Sequence, residues 1–251
     1  MKKITYLLAG ISLCASLQVS AESQVTVYYP GQSQTAVVSH AQNLAQLVAS
    51  PALANKTWWP GTVIAEKMAT AAAMQQQQQL LSRLKSWSAE LRADGDADKA
   101  AVVDSIWRQV AAVKVTGRQF VSLDPDWVRV RAEENRRLEG EYRVYTLQKP
   151  HTLTVTGLVS NSGQSPWLPG RTVVDYLDEH DRFSGAEKNV ATLIAPSGEV
   201  TQVPVAYWNH RHTEPEPGSI IYLGFSSWSL PDQYEDLNQQ IVSVLTHRIP
   251  D

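Results

Sequence analysis

The chain has 251 residues, with 22 Lys and Arg against 25 Asp and Glu, and a single cysteine. That length holds one large or two small domains. The slight acidic excess argues against a nucleic-acid partner, which would need a basic face.

Met1-Lys2-Lys3 leads into a nearly uncharged run from Ile4 to Ala21 that closes on Val19-Ser20-Ala21. A charged start, a short apolar core and a small-x-small site form the layout of a cleaved signal peptide, so residues 1–21 are expected to be removed. The apolar core is short for a membrane span of ~20 residues. Leu13 before Cys14 is too large for a lipoprotein site. Cleavage removes Lys2, Lys3 and Cys14, leaving 20 basic and 25 acidic residues, a net charge of −5. It also leaves no disulfide, thiol nucleophile or thiolate metal site. An exported chain without disulfides fits a Gram-negative periplasm, and no later segment is apolar enough to cross a membrane.

The mature chain opens with an alternating strand, Gln24 to Pro30, a turn over Gly31–Gln34 and a returning strand, Thr35–Val38. A short helix, Asn43–Val48, stops at Ser50-Pro51. After Trp58-Trp59-Pro60-Gly61 comes a helical insertion. Leu80, Leu84, Trp87 and Leu91 mark one apolar face, and Val103, Ile106, Val110 and Val113 mark another. The turn Asp94–Asp98 between them makes a helical hairpin. The run Gln75–Gln79 is expected on a solvated helix face. Strands then resume over Val115–Pro125 and Trp127–Arg131, and again over Glu141–Leu147 after a polar segment. Lys149-Pro150 marks the boundary to a second unit.

That unit begins with Thr152–Val159, alternating threonine and aliphatics as in a half-buried strand. Pro169–Thr172 caps a short helix, Val173–Leu177. Leu193 and Ile194 lead into the turn Pro196-Ser197-Gly198, where Gly198 supplies a positive φ. Val200, Val203 and Val205 form a further strand. Ser219–Phe225 is mostly apolar and therefore central. Asp232 with Glu235 reads as a capping box. It opens a terminal amphipathic helix of about four turns with Tyr234, Leu237, Ile241, Val244 and Leu245 on its stripe.

The fold class is thus α+β: two β-grasp domains, the first carrying an inserted helical hairpin, plus a C-terminal amphipathic helix. The divisions are 1–21, 22–148 with the insertion at about 64–114, 149–226 and 227–251.

TGR before a strand ending in LDP, together with TVTGLV, LPGRTVVDYL, LIAPSGEV, VAYWN and PGSIIYLGF, resembles the GfcC-like capsule-biosynthesis family across essentially the whole mature chain. The resemblance implies a periplasmic protein of group 4 (O-antigen) capsule assembly. It also implies β-grasp domains similar to those of outer-membrane polysaccharide export proteins. In those exporters the corresponding terminal helix forms the pore. Here the strongly polar face and narrow stripe favour a helix packed on its own domain.

Catalytic and metal motifs are weak. Asp94, Asp96 and Asp98 begin like a calcium loop, but Lys99 and Ser105 stand where glycine and glutamate are needed. An acidic turn capping the second helix is the better reading. His210-Arg211-His212 lacks a third ligand in sequence reach, although His151, His180 and Glu216 are conceivable, and a polar hairpin loop is preferred. There is no G-x-S-x-G elbow and no phosphate loop. No metal or cofactor is expected. A non-catalytic component binding polysaccharide or an export protein is favoured over an enzyme that modifies or trims the polymer.

Arg118 is the foremost site candidate, because a guanidinium fork suits carboxylates, phosphates or sugar hydroxyls. The competing reading is an ion pair with Asp124 or Asp126. Among the eight tryptophans, Trp87 and Trp107 belong to helix faces. Trp59 and Trp167 lie in loops and are the candidates for stacking on sugars.

Overall fold

A computed structural model describes residues 23–54 and 56–250; the expected signal segment, with Cys14, lies outside them. Two mixed sheets organise the chain. In the first, β1 (Gln24–Tyr28) and β2 (Thr35–Ser39) form a hairpin, followed by helix α1 (Leu44–Val48) and strand β3 (Val63–Glu66). Strand β4 (Glu141–Tyr145) closes the sheet in the order β2-β1-β4-β3, parallel to β1 with Val25 opposite Tyr142. Asn43 starts α1 by accepting from Gln46 N. Val25, Val27, Leu44, Leu47, Ile64 and Val144 fill this unit's core.

The second sheet repeats the plan. Strands β5 (Thr152–Gly157) and β6 (Gly163–Pro166) precede a five-residue helix, Val173–Leu177, and then come β7 (Val190–Ile194), β8 (Val200–Pro204) and β9 (Ile220–Leu223). The order is β6-β5-β9-β7-β8, with β9 parallel to β5. All four β9 residues are buried, as expected of a central strand. The polar edge strand β6 was not anticipated; among the described residues it pairs only with β5. Thr172 and Asp175 form a reciprocal capping box on the Val173 helix.

Between β3 and β4 run α2 (Lys67–Ala93) and α3 (Ala97–Ala112), the expected hairpin. Asp96 caps α3 by accepting from Lys99 N, so the acidic turn is a helix start. Although it interrupts the first sheet in sequence, the hairpin shares its core with the second. Leu80, Leu84, Trp87, Ile106 and Val110 join Leu153, Val155 and Ile221 in one cluster. Gln109 fixes the docking: its Oε1 accepts from Thr156 Oγ1 at 2.6 Å and Gly157 N at 2.8 Å.

Three expectations need correction. Trp127–Arg131 is not a strand, because Pro125–Val130 forms a helix, α4, with Asp124 as N-cap. An aspartate followed by proline at the first helical position is a helix start, and it overrides the β-branched alternation. Val115 to Asp124 is extended but, among the described residues, belongs to no sheet and makes isolated bridges to Ala65 and Arg248. The glutamine run is not wholly solvated: Gln77 is buried, and its Nε2 donates to Val110 O and Val113 O at the end of α3.

The C-terminal helix, here α5 being the Val173–Leu177 helix and α6 the last, spans Leu237–Thr246 and is shorter than expected. Asp232–Tyr234 is a separate 3-10 turn with no side-chain cap. The stripe residues Tyr234, Leu237, Ile241, Val244 and Leu245 are all buried within the chain's own core. Asn238 pins α6 to the sheet, its Oδ1 accepting from Phe225 N and Tyr222 Oη at 2.9 Å each. Among the described residues no helix is long and apolar enough to cross a membrane.

Candidate functional site

The segment returning from the hairpin connects all parts of the molecule. Gln119 N donates to Ile64 O at 2.8 Å on β3, while Thr116 N donates to His247 O at 2.9 Å beyond α6. Gly117 lies between them against Ala69 and Thr70 of α2, with no room for a Cβ.

Arg118 therefore sits at the junction. It is 7% exposed. Its guanidinium donates to Pro196 O at 2.6 Å, in the β7–β8 turn, and to Thr246 O at 3.4 Å, at the end of α6. Asp124, one partner in the competing ion-pair reading, accepts from Asp126 N and Trp127 N. Burial, aided by the nearby Arg248 charge, lowers the Arg118 pKa to about 10. The group is still cationic at neutral pH. It acts as a tie between two backbone carbonyls rather than as an open fork.

Phe120 covers this tie, with the Arg118 guanidinium 5.7 Å from its ring and His247 edge-on at 5.3 Å. Gly198 faces both: it has φ +90°, and a Cβ there would fall 2.9 Å from Phe120 and 3.1 Å from Arg118. The turn glycine legible in the sequence thus also makes space for the junction.

Above Arg118 lies an open groove of about 560 Å3. Trp59, Phe120 and Trp127 give it aromatic walls, and Asp124, Glu134 and Glu199 supply carboxylates. Trp59 lies on a 3-10 turn, Trp59–Gly61, with its side chain partly packed on the first core. Phe120 and Trp127 are exposed, and Trp127 stacks on the Arg131 guanidinium at 3.7 Å. A second groove, of about 790 Å3, runs between β7, β8 and α6 and meets the first at Phe120 and Gly198.

The structure brings Arg118 and Trp59 together but leaves Trp167 out of this groove. Trp167 Nε1 donates to Pro215 O at 2.9 Å and the ring packs on the second core, with Lys149 Nζ 5.7 Å from its centroid. Phe120 and Trp127 were missed from sequence. Read as strand residues they had no predicted face; the Asp124-Pro125 helix start is the signal that turns Trp127 outward. In the histidine segment, His212 Nε2 pairs with Glu214 Oε1 at 2.8 Å. No group of three metal-ligating side chains occurs among the described residues.

Two sheets of matching plan, an inserted hairpin and a self-docked terminal helix define a two-unit α+β protein with a junctional groove. Residues 21–149 match the family model described as "Capsule biosynthesis GfcC, N-terminal", and residues 161–250 match "Capsule biosynthesis GfcC C-terminal". The chain belongs to this capsule-biosynthesis family, which supports a role in capsule assembly. It is 44% identical over 250 residues to an Escherichia coli (strain K12) protein named "Uncharacterized protein YjbG", covering 100% of both chains.

Proposed function

We propose that this is an exported, periplasmic and non-catalytic component of capsule or surface-polysaccharide assembly. It acts by contact with glycan or with an outer-membrane polysaccharide export protein, and its two sheets are β-grasp units. The groove beside Arg118 favours glycan. The observation that carries this reading is the pairing of three aromatic side chains with three carboxylates along one open trough. Aromatic faces stack on the C–H faces of sugar rings, and carboxylates accept from sugar hydroxyls. Arg118 contributes by holding the trough's floor and the β7–β8 turn in register.

Titration of the purified protein with capsular polysaccharide tests this. Wild type is expected to bind, and Trp59→Ala and Trp127→Ala to weaken binding by on the order of tenfold each, for a loss of about 1.4 kcal/mol. Equal affinity in all three proteins would place any glycan contact outside the groove.

A further inference from the structure

The segment after β8 turns sharply at Tyr207 and Trp208, at the far end of that strand from the groove beside Arg118. The register sets the separation: Ile194 pairs with Val200 beside the groove-lining turn, and Val190 pairs with Pro204 at the other end. Five strand residues span on the order of 17 Å.

Tyr207 is 96% exposed and Trp208 is 77% exposed. The backbone that presents them is closely held. His210 N donates to Ala206 O at 2.8 Å, Asn209 Oδ1 accepts from Ala206 N at 3.0 Å, and Val205 N donates to Asn189 O at 2.8 Å. These bonds fix a tip carrying two large aromatics outward. Ordering such a tip without burying its rings leaves apolar area in water, and adjacent exposed aromatics mark a contact surface.

Charge narrows the choice of partner. No acidic residue occurs between Glu199 and Glu214, whereas Arg211 falls in that interval, in a chain with a formal net charge of −3, and Glu214 is taken up by His212. Arg211 is exposed, and so is Lys188, which adjoins the Asn189 that braces the turn; the one carboxylate beside them, Glu187, is turned onto the backbone, its Oε1 accepting from Lys188 N and Asn189 N at 2.8 Å each. A ring as exposed as Tyr207 has no wall beside it to align a sugar. Tyr and Trp are the residues that settle at the bilayer–water boundary, their rings apolar and their polar atoms wet. Neighbouring cations gain from anionic headgroups.

We propose that the Tyr207-Trp208 tip inserts into the interface of an anionic phospholipid membrane and holds the protein at the bilayer.

Co-sedimentation of the full protein with vesicles of phosphatidylethanolamine and phosphatidylglycerol tests the proposal, with phosphatidylcholine vesicles as the neutral arm. Wild type is expected to sediment with the anionic vesicles and less with the neutral ones. The Tyr207→Ser/Trp208→Ser double variant should lose roughly tenfold or more in partitioning, and Arg211→Glu roughly fivefold or more. Trp228→Ser, altering another exposed tryptophan, should behave as wild type, and all variants should melt as wild type does. The proposal is overturned if wild type stays in the supernatant. It is equally overturned if the double variant sediments as wild type does, or if Trp228→Ser loses as much as the double variant. Binding of the tip to polysaccharide or protein without vesicle binding also overturns it.

Discussion

Replacing Trp87 with alanine is expected to cost about 3–5 kcal/mol of stability, the range for truncating a buried aromatic. Trp87 is 4% exposed on α2. Its ring stacks on Tyr234 at 5.0 Å and meets Phe225 at 5.1 Å, one ahead of α6 and the other just past β9. A single side chain therefore joins the inserted hairpin, the second sheet and the terminal segment. Around it, Arg83 pairs with Asp236 at 2.9 Å and Glu90 accepts from Tyr234 Oη at 3.1 Å. These exposed and half-exposed polar links are each worth little beside the core contact. Urea unfolding gives the size of the effect, and amide exchange gives its location. Protection should fall in α6 and β9 as well as in α2. Loss confined to the hairpin would mean that it is an appendage and not part of the second unit's core.

Arg118→Met should lower stability by about 2–4 kcal/mol. The change leaves Pro196 O and Thr246 O without their donors, and an unsatisfied buried carbonyl costs about 1–3 kcal/mol. Relief of the buried charge offsets part of this. Arg118→Lys should fall between the two proteins, because one ammonium cannot reproduce a planar fork that reaches two carbonyls. The pH dependence has a definite sign. Burial lowers the folded pKa of this base to about 10, below its unfolded value, so the charged form is disfavoured on folding. That penalty is constant at lower pH and is relieved only as pH rises through about 10. The wild-type-minus-Met difference in thermal or urea unfolding should therefore be flat between about pH 6 and about pH 8. A slope in that window would assign the titration to another group.

Much of the architecture is legible because it is local. Thr172 and Asp175 announce the Val173 helix through a three-residue capping pattern. Gly198 announces its turn, and periodicity marks both helices of the hairpin. What periodicity does not contain is the identity of the opposing surface. The Leu80-Leu84-Trp87 stripe was visible, yet its partners Phe225 and Tyr234 lie far along the chain. The Val115–Phe120 segment shows the same difficulty, since its bridges are to Ala65 and Arg248. Val128 and Val130 alternate as in a strand, but the helix start at Asp124-Pro125 governs them.

The candidate site divides along the same line. Arg118 stands out by residue type and by its place after Gly117. Its acceptors, 78 and 128 positions away, are backbone carbonyls, which no side-chain pattern reveals. Trp59, read as a loop residue, lies on a short 3-10 turn and lines the groove. Trp167 has the same loop context, but its indole N–H is held by Pro215 O, so it braces the chain before β9.

The most direct test is surface-polysaccharide staining of a strain lacking the gene. The strain is complemented at equal protein level with wild type or with the Trp59→Ala/Trp127→Ala double variant. These groove residues are preferred to Arg118, whose replacement loosens the junction itself. Loss of surface polymer in the deletion, restored by wild type and not by the double variant, is the predicted result. Unchanged polymer amount and length in the deletion would contradict a role in assembly or export. Full rescue by the double variant would contradict the groove as the place where that role is performed.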